Sequence, residues 1–182
     1  MIIVYIRHAP KQFKNGQSAT YSLDPPLIPG AQLQITTLAQ RLISSYGTPD
    51  VILSSPFLRT RQTAEIMSTM CDEKVPIHCD MTVSEYLGNH ATRKLDVHPT
   101  TKQFNPPHPE NFTDFRKRIK LHFTKLFTID LPQNHPVIWV ITHGIVIQQI
   151  AKYHKKLNVL PPKKRIEELT GLVLTKYWRK YC

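Results

Sequence analysis

The 182-residue chain is 41% hydrophobic and carries 24 Lys and Arg against 13 Asp and Glu, a formal net charge of +11. A chain of this length can bury a core without metal or disulfide staples. Its three cysteines, Cys71, Cys79 and Cys182, are odd in number and lack metal-ligand spacing, and a reduced intracellular protein is the simplest reading. The basic charge attracts anions: phosphorylated substrates, nucleic acid or acidic surfaces. The apolar run Met1–Ile6 is broken by Arg7 and His8, too early for a signal-peptide core of about 7–15 residues. No segment reaches the roughly 20 apolar residues of a membrane span. The expectation is a soluble cytoplasmic protein with one domain over residues 1–182.

In chain order, Ile2-Ile3-Val4-Tyr5-Ile6 is a continuous β-branched run that reads as a buried strand. A turn-rich stretch follows, through Asn15-Gly16, Asp24-Pro25-Pro26 and Pro29-Gly30. From Ala31 to Tyr46, Leu38, Ala39, Leu42 and Ile43 fall at helical spacing, and Gly47 supplies a stop. Val51-Ile52-Leu53 is a second buried strand, after which Ser55 reads as an N-cap with Pro56 at the first helical position. Val75 to Cys79 is a short third strand. Residues 88–111 lack periodicity and read as an irregular surface excursion. Phe112 to Phe127 is an amphipathic helix with Phe115, Ile119, Phe123 and Leu126 on one face. Val137 to Ile141 is the clearest buried strand, with a helix from Ile145 to Tyr153 after the Gly144 break, and Leu172-Val173-Leu174 begins a last strand. Apolar strands alternating with helices predict an α/β three-layer sandwich, a mostly parallel sheet covered on both faces.

Three of these strands lead into chemistry-bearing residues: the first into Arg7-His8, the second into Ser54-Ser55-Pro56-Phe57-Leu58-Arg59, the third into Thr142-His143-Gly144. Ligands of open α/β sheets bind beyond the carboxyl ends of the strands. Two of the three points are also helix starts, where unpaired N–H groups and the helix dipole favour anions. Two arginines, two histidines and two helix starts on one rim suit a dianion, with phosphate the obvious candidate.

Arg7-His8-Ala9, the run from Ser54 to Glu65 (SSPFLRTRQTAE) and Thr142-His143-Gly144 resemble the three signatures of the histidine phosphatase (phosphoglycerate mutase-like) superfamily, small phosphatase branch. Asp24-Pro25-Pro26-Leu27 with Gly30 resembles the segment after the first signature, and Glu110 with Asp114-Phe115 and Arg118 a later one. The resemblance implies a metal-independent phosphatase with no cofactor, hydrolysing phosphomonoesters through a covalent phosphohistidine. Matched by position, His8 is the nucleophile, Arg7 and Arg59 clamp the phosphate, and His143 is the second pocket histidine. Gly144 and Asn15 join the substrate-binding set. The chemistry agrees: guanidinium forks match phosphate oxygens, and neutral imidazole attacks phosphorus when its other nitrogen holds the proton. One carboxyl group can protonate the leaving oxygen and later activate water. Glu85 is the first choice for it and Asp80 the rival.

The chain departs from the family pattern at Ala9 and Pro10, where Gly and Glu are usual, and alanine would be strained if the position required positive φ. Asn15 stands one residue farther from the histidine than the family's phosphate-contacting asparagine. His90, His98 and His108 are too irregularly spaced for a zinc site. Two alternatives stay open: phosphoglycerate mutase-type phosphoryl transfer, and a catalytically weak module binding phosphorylated ligands or nucleic acid. Nucleic acid is disfavoured, because no aromatics interleave with Lys155-Lys156 or Lys163-Lys164-Arg165.

Overall fold

The computed structural model describes residues 1–12, 23–88, 97–126, 129, 136–155 and 171–175. Among the described residues, five strands form one sheet in the order β3-β2-β4-β1-β5: β1 Ile2–Arg7, β2 Val51–Ser54, β3 Ile77–Cys79, β4 Val137–Thr142 and β5 Gly171–Thr175. The first four run parallel, and β5 closes one edge antiparallel to β1. The fold is thus the expected α/β sandwich. Every residue of β2 and β4 is buried, as strands covered on both faces must be.

Alternation along the strands splits the core in two. Tyr5, Leu53, Ile138 and Val140 face one way and pack with α4 (Phe112–Leu126) and α5 (Gly144–Lys155). Ile6, Ile52, Trp139 and Ile141 face the other way, towards α1 (Ala31–Tyr46) and α2 (Leu58–Ser68). Among the described residues no helix is long and apolar enough to cross a membrane.

Two expectations change. The helix after β2 starts at Leu58, with Phe57 rather than Ser55 at the N-cap position. Its first free N–H, that of Leu58, is bonded instead by Asp24 Oδ1 at 2.7 Å, from a distant loop. The stretch read as irregular contains a short helix, α3 (Pro99–Lys102), which starts on Pro99 and is capped by the His98 side chain.

Register brings the carboxyl ends of β1, β2 and β4 level: Arg7 pairs with Thr142, and Ser54 with Ile141. His8 and Ser55 continue the ladder by one bond each, to the carbonyls of Thr142 and Ile141, both at 3.0 Å. The three sequence segments carrying the candidate residues therefore emerge at one height on one rim.

Candidate active site

His8 is 2% exposed. Its Nδ1 lies 2.7 Å from the Ala9 carbonyl. A carbonyl can only accept, so Nδ1 carries the proton and the lone pair sits on Nε2. Ala9 is fully buried, and its N–H donates to Thr63 Oγ1 at 3.1 Å. It is not among the residues with positive φ, so the extra methyl brings no backbone strain there. The His8 ring meets the His143 ring edge-on, with centroids 5.3 Å apart.

His143 bridges Ser55 and Arg59. Its Nε2 is 2.8 Å from Ser55 Oγ, and its Nδ1 is 3.5 Å from an Arg59 Nη, which must be the donor. The neutral ring then holds its proton on Nε2 and donates to Ser55. Its backbone carbonyl accepts from Ile147 N at 3.1 Å, so His143 sits at the amino end of α5, with Gly144 as that helix's first residue.

Arg59 is completely buried in the first turn of α2. One Nη donates to Asp24 Oδ1 at 3.2 Å, and the other forms an ion pair with Glu85. Glu85 also lies 3.6 Å from His143 Nδ1. Asp24 in addition accepts from Thr101 Oγ1 and from the His98 N–H, tying α3 to the start of α2. Arg7 ends β1, and its charge bears on the His8 ring.

The two carboxylates in question part company. Asp80 accepts from His122 Nδ1 at 2.8 Å and from Thr82 N at 2.8 Å; His122 Nε2 in turn meets the Tyr5 hydroxyl at 3.1 Å. Burial opposes ionisation of Asp80, but the hydrogen bonds from His122 and Thr82 prevail and hold its carboxyl below the usual range. Its lone pairs are engaged in a buried network, whereas Glu85 faces Arg59 and His143. Arg118 holds the chain leading to Glu85. It pairs bidentately with Glu110 at 2.7 and 2.6 Å and donates to the carbonyls of Thr82 and Ser84 at 2.9 and 3.0 Å.

Arg7, His8, Arg59, His143, Gly144 and Glu85 therefore gather on the rim. Asn15 lies outside the described residues, as does His90. Sequence reasoning gave Ser55 only a capping role and Thr63 and Lys11 none, although Ser55 bonds His143 and Lys11 acts electrostatically on both pocket histidines. The signal for Thr63 was its place in the run from Ser54 to Glu65.

Burial first, then the charge of Arg59, lowers the His8 pKa to about 2, with Arg7 and Lys11 adding to the effect against the Ala9 hydrogen bond. His143 is lowered well below its ordinary value by burial and then by Arg59. Unfolded histidine takes up a proton below about pH 6.5 while the folded ring does not, so stability is full above that pH and lost on acidification. By pH 5 His8 alone costs about 2 kcal/mol. The thermal midpoint is expected to fall between pH 7 and pH 5, and less steeply in His8→Gln. Equal slopes for the two proteins would contradict neutral burial of His8.

No curated protein sequence matches the chain, but solved structures do. YhfR of Bacillus stearothermophilus is similar with a TM-score of 0.68 at 18% identity, covering 96% of this chain and 90% of that one. A mycobacterial glucosyl-3-phosphoglycerate phosphatase gives 0.65 at 20% identity, over 97% and 91%. A phosphoglycerate mutase from Bacillus anthracis gives 0.68 at 15% identity, over 94% and 86%. At such identities the likeness is one of fold. The sequence itself matches the model of the histidine phosphatase superfamily (branch 1) over residues 3–180, and with that match the chain belongs to this family.

Proposed function

We propose that the protein is a phosphatase that hydrolyses phosphomonoesters through a covalent phosphohistidine at His8. The observation that carries this reading is the bond from His8 Nδ1 to the Ala9 carbonyl. It leaves the nucleophilic lone pair on Nε2, and the lowered pKa keeps that lone pair unprotonated at neutral pH.

In the proposed reaction Nε2 attacks phosphorus as the ester P–O bond breaks. Arg7, Arg59, His143 and the amino end of α5 stabilise charge on the equatorial oxygens. A phosphate loaded onto Arg59 competes with Glu85 for the same guanidinium; the displaced carboxylate takes up a proton, from solvent or from a singly protonated phosphate ester, and passes it to the leaving oxygen. Glu85 then removes a proton from water, which attacks phosphorus and breaks the P–N bond. Phosphate departs and neutral His8 is restored. His143, neutral in the resting site with its one N–H on Ser55, donates to the phosphate by turning that N–H away from Ser55 or by taking up a second proton at Nδ1.

Glu85→Gln keeps the shape but loses the proton. It is expected to lower kcat for alkyl phosphates by about a hundredfold, and less for para-nitrophenyl phosphate, whose leaving group needs little protonation. Equal losses for both substrates would remove Glu85 as the acid. No step in this scheme uses a metal, so activity should survive EDTA; strong inhibition restored by a divalent cation would overturn it. A bisphosphoglycerate-primed assay separates hydrolysis from mutase transfer, and net phosphate release is the expected outcome.

A further inference from the structure

His108 has no place in the scheme above, yet it stands one ring away from the pocket. It belongs to the run Pro106-Pro107-His108-Pro109 just before Glu110. Its imidazole meets the Phe57 ring edge-on, with centroids 6.2 Å apart. The same Phe57 ring packs edge-on against His143 at 5.3 Å and lies beneath the Arg59 guanidinium, 4.7 Å from its centroid. Glu110, two residues on, is held by Arg118, which also binds the Ser84 carbonyl beside Glu85, and this sets His108 on the Glu85 side of the pocket.

Both ring nitrogens of His108 are shielded and have no hydrogen-bond partner among the described residues. A buried polar group left unpaired is costly, and such groups in folded proteins call for an explanation. The residue as a whole is only partly buried. A half-turn of the imidazole exchanges its nitrogens with ring carbons, so the ring can present a nitrogen to an incoming group without moving the backbone.

We infer that His108 recognises the alcohol half of the substrate, hydrogen-bonding a hydroxyl carried by the leaving group, and that the substrates are monophosphates of small polyols such as sugars or glycerol. This rests on the phosphatase reading, because Glu85 protonates the leaving oxygen and the leaving group must therefore pass on its side. Burial lowers the His108 pKa, so at neutral pH the ring is uncharged. A neutral imidazole offers one donor and one acceptor, which complements a hydroxyl and gives a second anionic group no ion pair.

The test compares glycerol phosphate with para-nitrophenyl phosphate, which has no hydroxyl on its leaving group, in the wild type and in His108→Phe and His108→Gln. The ratio of kcat/KM for glycerol phosphate to that for the aryl ester is expected to fall about tenfold in His108→Phe, mainly through KM, the size of one lost hydrogen bond. His108→Gln, which keeps a donor and an acceptor, should recover part of it. A second measurement needs no turnover. On a His8→Ala background, titration calorimetry should show His108→Phe weakening glycerol phosphate binding relative to inorganic phosphate by a similar factor. An unchanged ratio in both measurements overturns the role of His108. Aryl phosphate hydrolysis that survives His8→Ala defeats the phosphatase reading instead, so the two failures are told apart.

Discussion

His8→Ala is expected to abolish turnover of para-nitrophenyl phosphate, lowering kcat by at least about a thousandfold. The expectation follows from the way the ring is held. Its Nδ1 proton is committed to the Ala9 carbonyl at 2.7 Å, and Ala9 is itself anchored by Thr63. The imidazole is therefore pre-oriented before substrate arrives, and alanine removes both nucleophile and orientation. The buried ring is neutral in the fold, so its loss should leave the protein folded and slightly more tolerant of acid. The complementary observation is chemical: brief reaction of the wild type with labelled substrate should trap a phosphoenzyme stable to alkali and labile to acid, absent from His8→Ala. An acid-stable adduct, or a variant that keeps its activity, would refute the assignment of His8.

Arg59→Ala should be the most damaging single change, because activity and stability depend on the same guanidinium. It is fully buried, forms ion pairs with Asp24 and Glu85 and donates to His143. Truncating one partner of a buried ion pair costs about 3–5 kcal/mol, since the remaining charge stays buried and unpaired. Asp24 is the charge left behind; its other partners are Leu58 N–H, Thr101 and the His98 N–H. Activity should fall about a thousandfold, through loss of the phosphate clamp. The urea midpoint should fall with it. Arg59→Lys separates the two effects. It keeps the charge but not the fork, so the protein should fold while kcat/KM stays down by about a hundredfold. Full activity in a folded Arg59→Lys protein would mean that the guanidinium does not clamp phosphate.

Much of this site was legible along the chain. The β-branched runs at Ile2–Ile6 and Val137–Ile141 announce buried strands, and each is followed two residues on by a histidine. Strand identity is a local property, set by apolar periodicity over a handful of residues. The helices Ala31–Tyr46 and Phe112–Leu126 were readable for the same reason. The N-cap of α2 was not. Ser55-Pro56 is a sound local signal, but the Ser55 hydroxyl is taken by His143, 88 positions away, and the cap comes from Asp24, 34 positions back. Long-range partners outbid the local pattern because a buried hydroxyl or carboxylate must satisfy all its bonding capacity at once.

The sequence by itself determined the order of strands and helices, the rim to which Arg7, His8, Arg59 and His143 are delivered, and the family. Only the tertiary structure decided the strand order, the antiparallel edge strand, and which carboxylate meets the pocket. Asp80 and Glu85 stand five positions apart and look alike in a sequence. What separates them is His122 on α4, which engages Asp80 from 42 positions away, while Arg59 holds Glu85 from 26. Periodicity encodes which face of an element is buried. It does not encode which buried polar group finds which partner, because that choice is made between segments that meet only when the chain is folded.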